Sequence, residues 1–316
     1  MKKINLIFGS SGFIAHSFLN CKENASKKFL CIDKKKKFLK NPKHRFIRLN
    51  ICNSKKLEHV FKKIISKYKI GEIWHLAANS DIKKGSHNPK IDFENTFKTT
   101  FNIIEALNNS KIKVEKFIFA SSSAIYGYKK NIKIKENLGD LKPISYYGAM
   151  KAASENLLSS YSFLNNTKCF IFRFPNVVGP YLTHGLIYDL IKKLKKNKNK
   201  LYVLGDGYQK KQYIHVDDLL LSMHLVTRQV KSKEKFNIFN IAGEDNGIYV
   251  KEIVNKFLKI NNLKPKVIYQ NKSFGWPGDI PKFRYNINKI KKLGWRPNWN
   301  SKDSIKKCIF QNRIAK

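Results

Sequence analysis

Tyr147 and Lys151 stand four residues apart in Tyr147-Gly148-Ala149-Met150-Lys151, directly after Pro143-Ile144-Ser145. Residues at i and i+4 share one face of a helix, which sets an ammonium beside a phenol. A positive neighbour favours the phenolate, draws the phenol pKa down toward neutrality and so makes a usable base. Such a pair also arises on any exposed helix. Its place in the chain gives it meaning, because Phe117-Ile118-Phe119-Ala120-Ser121-Ser122-Ser123 ends an apolar run upstream of it. Strand C-termini are where a doubly wound sheet gathers the groups that meet a ligand.

A second constellation lies near the N-terminus. Gly9-Ser10-Ser11-Gly12-Phe13-Ile14-Ala15 follows the apolar run from Ile4 to Phe8 and opens an amphipathic stretch. Glycines there let the backbone approach a pyrophosphate, whose charge then sits among the free N–H groups of a helix N-terminus. The spacing is Gly-x-x-Gly-x-x-Ala rather than the ordinary Gly-x-Gly-x-x-Gly. Asp33 closes the next apolar run, about 20 residues on, where a carboxylate accepts both adenosine ribose hydroxyls and repels a 2′-phosphate. This pattern favours NAD, whose cationic nicotinamide ring would further ease ionisation of Tyr147. The competing reading is NADP, with Lys34 to Lys37 holding the extra phosphate.

These groups need a scaffold, and the first 175 residues supply the alternation of β-rich runs and amphipathic stretches expected of βα units around a parallel sheet. The periodicity predicts strands over 3–8, 28–33, 45–49, 72–76, 115–121 and 168–174, and helices over 12–20, 54–67, 89–109 and 145–165. After Pro175 the pattern changes to a helix over 184–196, a strand near 201–204, segments over 212–226 and 236–241, a helix over 249–260 and an irregular stretch over 274–299. The expected fold is α/β: a Rossmann doubly wound parallel sheet over 1–175 and a smaller α/β substrate-binding domain over 176–316, with the chain free to cross back between them. The active site falls between the two.

The 316 residues are 42% hydrophobic, with 22 Phe and 14 Tyr, enough for a sizeable core and unlike a disordered chain. Cys21, Cys31, Cys52, Cys169 and Cys308 form no close pair and read as buried thiols of a reducing compartment. No Cys/His spacing suits zinc, so no metal is expected. Met1-Lys2-Lys3 before an apolar run mimics a secretory signal, but cleavage there would remove the glycine turn, and no run reaches the roughly 18 apolar residues of a membrane span. A cytoplasmic protein without membrane contact is expected. The net charge of +41 attracts polyanions, yet the lysines are spread along the whole chain and not gathered in one basic arm. That distribution argues for a solvated basic surface over a nucleic-acid site, and an anionic substrate gains either way.

Further stretches carry a resemblance. They are Trp74-His75-Leu76-Ala77-Ala78, Asn95 before Ile103-Ile104-Glu105-Ala106, Ser121-Ser122-Ser123-Ala124-Ile125-Tyr126-Gly127, Arg173-Phe174-Pro175-Asn176-Val177-Val178-Gly179-Pro180, Leu204-Gly205-Asp206-Gly207 and Tyr213-Ile214-His215-Val216-Asp217-Asp218. With the glycine turn and the Tyr-Lys helix, they make the chain resemble the extended short-chain dehydrogenase/reductase family over essentially its whole length. The likeness is to the nucleotide-sugar epimerase/dehydratase branch, on the side of the UDP-glucose 4-epimerases. It implies Ser122 as hydroxyl donor to the substrate oxygen, Tyr147 as acid/base, and Lys151 as its electrostatic partner and a nicotinamide-ribose ligand. It places Gly9, Gly12, Phe13, Ile14, Asp33, Asn50, Ile51, Leu76, Ala77, Ala78, Ser80, Asn95 and Phe174 around the cofactor, with Asn50 where the family usually has an Asp near the adenine. Asn176 would meet the diphosphate, and the backbone of Tyr202 and Leu204 the nucleotide base. His75 reads as a core histidine and Trp276, Trp295 and Trp299 as packing residues.

The resemblance also implies the reaction. Tyr147 takes the sugar 4-hydroxyl proton while hydride passes to bound NAD; the 4-keto sugar turns over and takes the hydride back, inverting one carbon. Dehydratases of the same fold carry Asp-Glu after the catalytic hydroxyl, and related decarboxylases keep the Glu; here Ser123 and Ala124 stand there. A dehydratase, decarboxylase or reductase remains the alternative within the family, and an RNA-binding or regulatory relative the alternative outside catalysis. Two departures touch the diphosphate: Lys211 replaces an Arg, and Trp276 stands before Pro277-Gly278-Asp279 where a second Arg is common. Phe283 corresponds to a wall of the sugar pocket, where bulk disfavours N-acetylated sugars. A homodimer through the helices near 89–109 and 145–165 is implied as well.

Overall fold

Continuous apolar runs bury side chains on both faces of a strand only where helices cover both faces of a sheet. The computed structural model, which describes residues 1–35, 41–129, 132–231, 233–275, 278, 280 and 284–314, has that layered form. Its first part runs β1 (Lys2–Phe8), α1 (Phe13–Leu19), β2 (Phe29–Asp33), β3 (Arg45–Arg48), α2 (Ser54–Ile65), β4 (Tyr68–His75), α3 (Ile82–His87), α4 (Pro89–Asp92), α5 (Lys98–Asn109), β5 (Lys116–Ala120), α6 (Tyr146–Leu164) and β6 (Lys168–Arg173). There follow β7 (Asn176–Val178), α7 (Leu186–Lys196), β8 (Lys200–Val203), β9 (Lys210–Lys211), β10 (Tyr213–His215), α8 (Val216–Gln229), β11 (Phe236–Asn240), β12 (Ile248–Tyr249), α9 (Val250–Asn261), β13 (Lys266–Tyr269), α10 (Asn288–Lys291) and α11 (Ser301–Gln311).

Seven strands make one parallel sheet in the order β11-β6-β5-β4-β1-β2-β3. Alternate residues feed two cores. Ile7, Cys31, Trp74, Ile118, Phe170 and Phe172 meet α1 and α8 on one face, through Phe18, Leu219 and Met223. Leu6, Phe8, Ile32, Ile73, Phe117, Phe119 and Ile171 meet α2, α5 and α6 on the other, through Phe61, Ile103 and Leu158. A third core joins α7, α9 and α11 to β8 and β10, around Leu190, Phe257 and Ile305. The chain beyond residue 176 therefore serves both parts: β11 pairs with β6, and α8 covers the sheet before the remainder folds apart.

Strand order reverses between β1 and β4, and a groove opens at such a switch point beyond the strand C-termini. Gly9 has φ +78°, and a Cβ on it would lie 2.6 Å from the backbone nitrogen of Ala77, so only glycine lets the turn after β1 press against the end of β4. The helix expected over 89–109 contains a π-turn at Phe93–Phe97 between α4 and α5. Asn95 sits in that turn and lines the groove. All five cysteines are free thiols, three of them buried and Cys21 and Cys52 half-buried. Among the described residues, no helix is long and apolar enough to cross a membrane.

Candidate active site

One cavity of about 1260 Å³ runs over the C-terminal edge of the sheet. At one end the glycine turn opens α1, whose first turn no side chain caps, which leaves N–H groups turned toward an anion. Phe13 and Ile14 line the cavity there. Asp33 ends β2 beside the turn; its Oδ2 accepts from the Ser11 N–H at 3.0 Å and its Oδ1 from the Lys35 N–H at 2.9 Å. Each oxygen keeps lone-pair capacity for a ribose hydroxyl. Lys34 reaches across to Asn95, Nζ to Oδ1 at 3.0 Å, and Asn50 folds back to accept from the Cys52 N–H at 3.1 Å. Ile51, Leu76, Ala77, Ala78, Ser80 and Phe174 complete this half. A glycine-floored groove with an uncapped helix start and a carboxylate at the second strand's end is a donor set that fits NAD.

Ser122, Tyr147 and Lys151 meet in the middle. Ser122 caps the short 3-10 turn after β5, its Oγ accepting from the Ala124 N–H at 3.1 Å. Ser145 caps α6 by accepting from the Gly148 N–H at 3.1 Å, which starts the helix at Tyr146, one residue before Tyr147. A Cβ on Gly148 would lie 2.5 Å from the Ala124 carbonyl oxygen, so glycine in Tyr-Gly-Ala-Met-Lys lets the helix start abut the Ser122 turn. The outcome is a hydrogen bond between the Ser122 and Tyr147 side chains.

Electrostatics depart from the expectation built on spacing alone. Burial raises the Tyr147 phenol above its ordinary range, the Ser122 hydrogen bond pulls it partly back, and Asp92 raises it again. Lys151 is buried and gives its Nζ to the Ala120 carbonyl at 2.5 Å; it lies 4.4 Å from the centre of the Phe119 ring and 5.9 Å from that of Tyr147. Burial lowers its pKa from 10.5 to about 7, and Glu155 opposes the drop. The shared helical face is real, but the ammonium is hydrogen-bonded to the end of β5 and lies 5.9 Å from the centre of the phenol ring.

Glu155 extends the same face by one more i+4 step and was not foreseen. Its carboxylate pairs with Arg173 on β6, Nη2 to Oε2 at 2.6 Å with Nε at 3.1 Å from both oxygens, and also accepts from Ser121 Oγ. Arg173 Nη1 donates to the Tyr126 hydroxyl at 2.9 Å and the Glu136 carbonyl at 3.0 Å, and Tyr126 donates to Asn240 Oδ1 at 2.7 Å. This buried network ties the end of β5, α6, β6 and β11 together through residues adjacent in the chain to Ser122 and one helical turn beyond Lys151. The Tyr147, Lys151, Glu155 spacing was its sequence signal.

The far half of the cavity is basic. Lys34, Lys83, Lys84, Lys151, Lys192, Lys193, Lys196, Lys210 and Lys211 line the whole, against Asp33, Asp81 and Asp189, and no arginine lines it among the described residues. Asn176 is exposed at the start of β7, and Tyr202 and Leu204 border the same end. Lys193 donates to the Tyr202 carbonyl at 2.8 Å and Lys211 to the Ile280 carbonyl at 2.5 Å. Phe283 and Trp276 lie outside the described residues. His75 is core, its ring bonded to Thr100 Oγ1 at 2.9 Å and its pKa driven well down by burial. Trp295 is buried, and Trp299 stacks edge-on against His215.

Residues 5–242 match the model of the NAD dependent epimerase/dehydratase family. The chain is 27% identical to a UDP-glucose 4-epimerase of Lacticaseibacillus casei, over 78% of each chain. It is 26% identical to a dTDP-D-glucose 4,6-dehydratase of Dictyostelium discoideum, over 86% of this chain and 70% of the relative. A crystal structure of a UDP-galactose 4-epimerase superposes with a TM-score of 0.84 at 26% identity, over 98% of each chain.

Proposed function

From the membership of this chain in the NAD dependent epimerase/dehydratase family, and hence from NAD as its cofactor, we propose that it is a nucleotide-sugar 4-epimerase of the UDP-glucose/UDP-galactose type. The observation that carries this reading is the surroundings of Ser122. Eliminating water from a sugar needs an acid and a base next to the Tyr147 site. The two positions after Ser122 hold Ser123, whose side chain hydrogen-bonds Tyr285, and Ala124, whose carbonyl packs on Gly148. Among the described residues, the carboxylates lining the cavity are Asp33, Asp81 and Asp189, none of them next to Ser122 in the chain.

NAD, when bound, would supply a hydride acceptor that can also return the hydride, and a cationic nicotinamide ring would favour ionisation of Tyr147. Gly9, Gly12 and the start of α1 would hold its diphosphate, and Asp33 its adenosine ribose. Tyr147 Oη takes the proton of the sugar 4-hydroxyl and later returns one. Ser122 Oγ steadies the sugar oxygen through both halves. Lys151 holds positive charge below this pair, anchored on Ala120 and sustained by Glu155. The lysines around α7 suit a diphosphate without the family's usual arginines, as point charges instead of bidentate forks.

Purified protein incubated with a panel of UDP-, GDP-, CDP- and dTDP-sugars, without added cofactor, should invert the 4-position of a UDP-hexose, with a KM that rises with ionic strength. A 4-keto-6-deoxy product would make it a dehydratase. Salt-sensitive RNA retention with no turnover would support a binding protein.

The same reading includes a homodimer. Phe93, Phe97 and Phe101 form a stripe along the π-turn and α5, with ring centroids 6.0 and 6.4 Å apart, and Phe93 and Phe101 are more than two-fifths exposed. An apolar stripe of this kind is one that a second copy would cover. Light scattering should give a dimer for the native chain and a monomer for Phe101→Asp; a native monomer removes the proposal.

A further inference from the structure

We propose that Cys21, Glu23 and His224 form a binding site for a divalent transition metal of the zinc type, separate from the NAD groove. None of the three lines that cavity. Cys21 and Glu23 lie at the short turn after α1, and His224 comes from α8, which packs on α1 across the sheet face. One donor atom from each residue lies within 4.8 Å of the others. Cys21 Sγ and His224 Nε2 are 3.5 Å apart. Zinc bonds of about 2.3 Å to sulfur and about 2.0 Å to nitrogen, at a tetrahedral angle, place those two donors about 3.5 Å apart. This edge of a coordination polyhedron is therefore already at length.

The imidazole is held in place for the role. His224 is 3% exposed, stacked on Phe18 at 5.2 Å and flanked by Trp74 at 5.5 Å, and its other nitrogen has no partner among the described residues. Asn24 Nδ2 stands 3.4 Å from both Cys21 Sγ and His224 Nε2, an amide placed to donate to a thiolate. Cys21 and Glu23 are half-buried, which leaves room for water as a fourth ligand. One sulfur, one imidazole and one carboxylate suit zinc or cobalt over magnesium or calcium. Thiolate and carboxylate together balance a divalent charge. Of the other charged groups facing His224, Lys27 is paired with Glu72 at 3.6 Å, and Arg228 remains as the opposing cation. On binding, the Cys21 S–H bond breaks, a sulfur–metal bond forms and the proton leaves to water.

Cobalt(II) titrated into the purified chain, kept reduced with a phosphine, tests this without reference to sugar turnover. One equivalent should bring up a sulfur-to-cobalt charge-transfer band that zinc displaces. Cys21→Ser should abolish the band, and Cys52→Ser, at the other half-buried thiol, should leave it. Glu23→Gln leaves the aromatic packing of His224 intact and should weaken binding roughly tenfold or more. A flat trace at saturating cobalt, or a band that survives Cys21→Ser, overturns the site and leaves a thiol–imidazole hydrogen bond only.

Discussion

Replacing Lys151 by methionine should make the cofactor-stripped protein more stable while ending turnover. Burial displaces the Lys151 pKa from 10.5 to about 7. At about 1.4 kcal/mol per pH unit, the charged side chain is then about 5 kcal/mol less stable in the fold than in the unfolded chain. Between those two pKa values the unfolded chain binds one more proton than the folded one, so stability rises with pH across that window. The penalty is fully present below about pH 7 and absent above about pH 10.5. Methionine fills similar volume without the charge, but it leaves the Ala120 carbonyl unpaired, which costs about 1–3 kcal/mol. The net gain is about 2–4 kcal/mol near pH 6, shrinking or reversing near pH 10. Urea unfolding of both proteins at several pH values, after NAD is removed on charcoal, reads it directly. A variant less stable than wild type near pH 6, or a stability gap that does not change with pH, would refute the reasoning. A confirmed gain would mean that the fold holds an unfavourable ammonium where the proposed mechanism places positive charge.

Tyr147→Phe should lower turnover by roughly 10²–10⁴-fold or more while NAD stays bound, and near-normal turnover would remove Tyr147 from the mechanism. Asp33→Asn should weaken NAD at least several-fold and narrow its advantage over NADP; a wild-type protein that binds NADP more tightly in a direct titration would shift attention to Lys34 and its neighbours. Phe283→Ser should raise kcat/KM for an N-acetylated sugar nucleotide by roughly tenfold to a hundredfold, since crowding an acetamido group against an aromatic costs on the order of 1–3 kcal/mol. Equal use of both sugar types by wild type, or no gain in the variant, would show that Phe283 does not wall the pocket.

The strands were legible because their signal is local: continuous apolar runs such as Leu6 to Phe8 and Leu30 to Ile32 mark strands buried on both faces, and successive side chains alternate between those faces. Leu30 and Ile32 go to one core and Cys31 to the other, as alternation requires. The return of β11 to the large sheet was not legible, because Phe236–Asn240 reads as a strand wherever it pairs, and its partner β6 lies more than 60 residues back. The π-turn at Phe93–Phe97 was hidden for the opposite reason. One extra residue in a helical turn barely disturbs a 3.6-residue pattern, yet it is this turn that carries Asn95 into the groove.

In the site the same division separates what a chain says about neighbours in sequence from what it says about neighbours in space. Tyr147 and Lys151 were readable because i, i+4 spacing fixes a shared face, and every described residue expected around cofactor and substrate lines one cavity. Charge was not readable. The spacing put an ammonium beside a phenol, but the Ala120 carbonyl, set by the β5 register, holds Lys151 at the strand end, and the phenol answers chiefly to burial and Ser122. Glu155 opposes the fall of the Lys151 pKa, and Glu155 is itself held by Arg173, 18 residues further on, and by Ser121. Breaking such a buried pair from one side costs about 3–5 kcal/mol, whereas the exposed lysines of α7 each change little. The Tyr147–Lys151 face of α6 thus depends on a partner on β6 that no periodicity names, and the i+8 carboxylate is the mark by which it could be sought in another sequence of this kind.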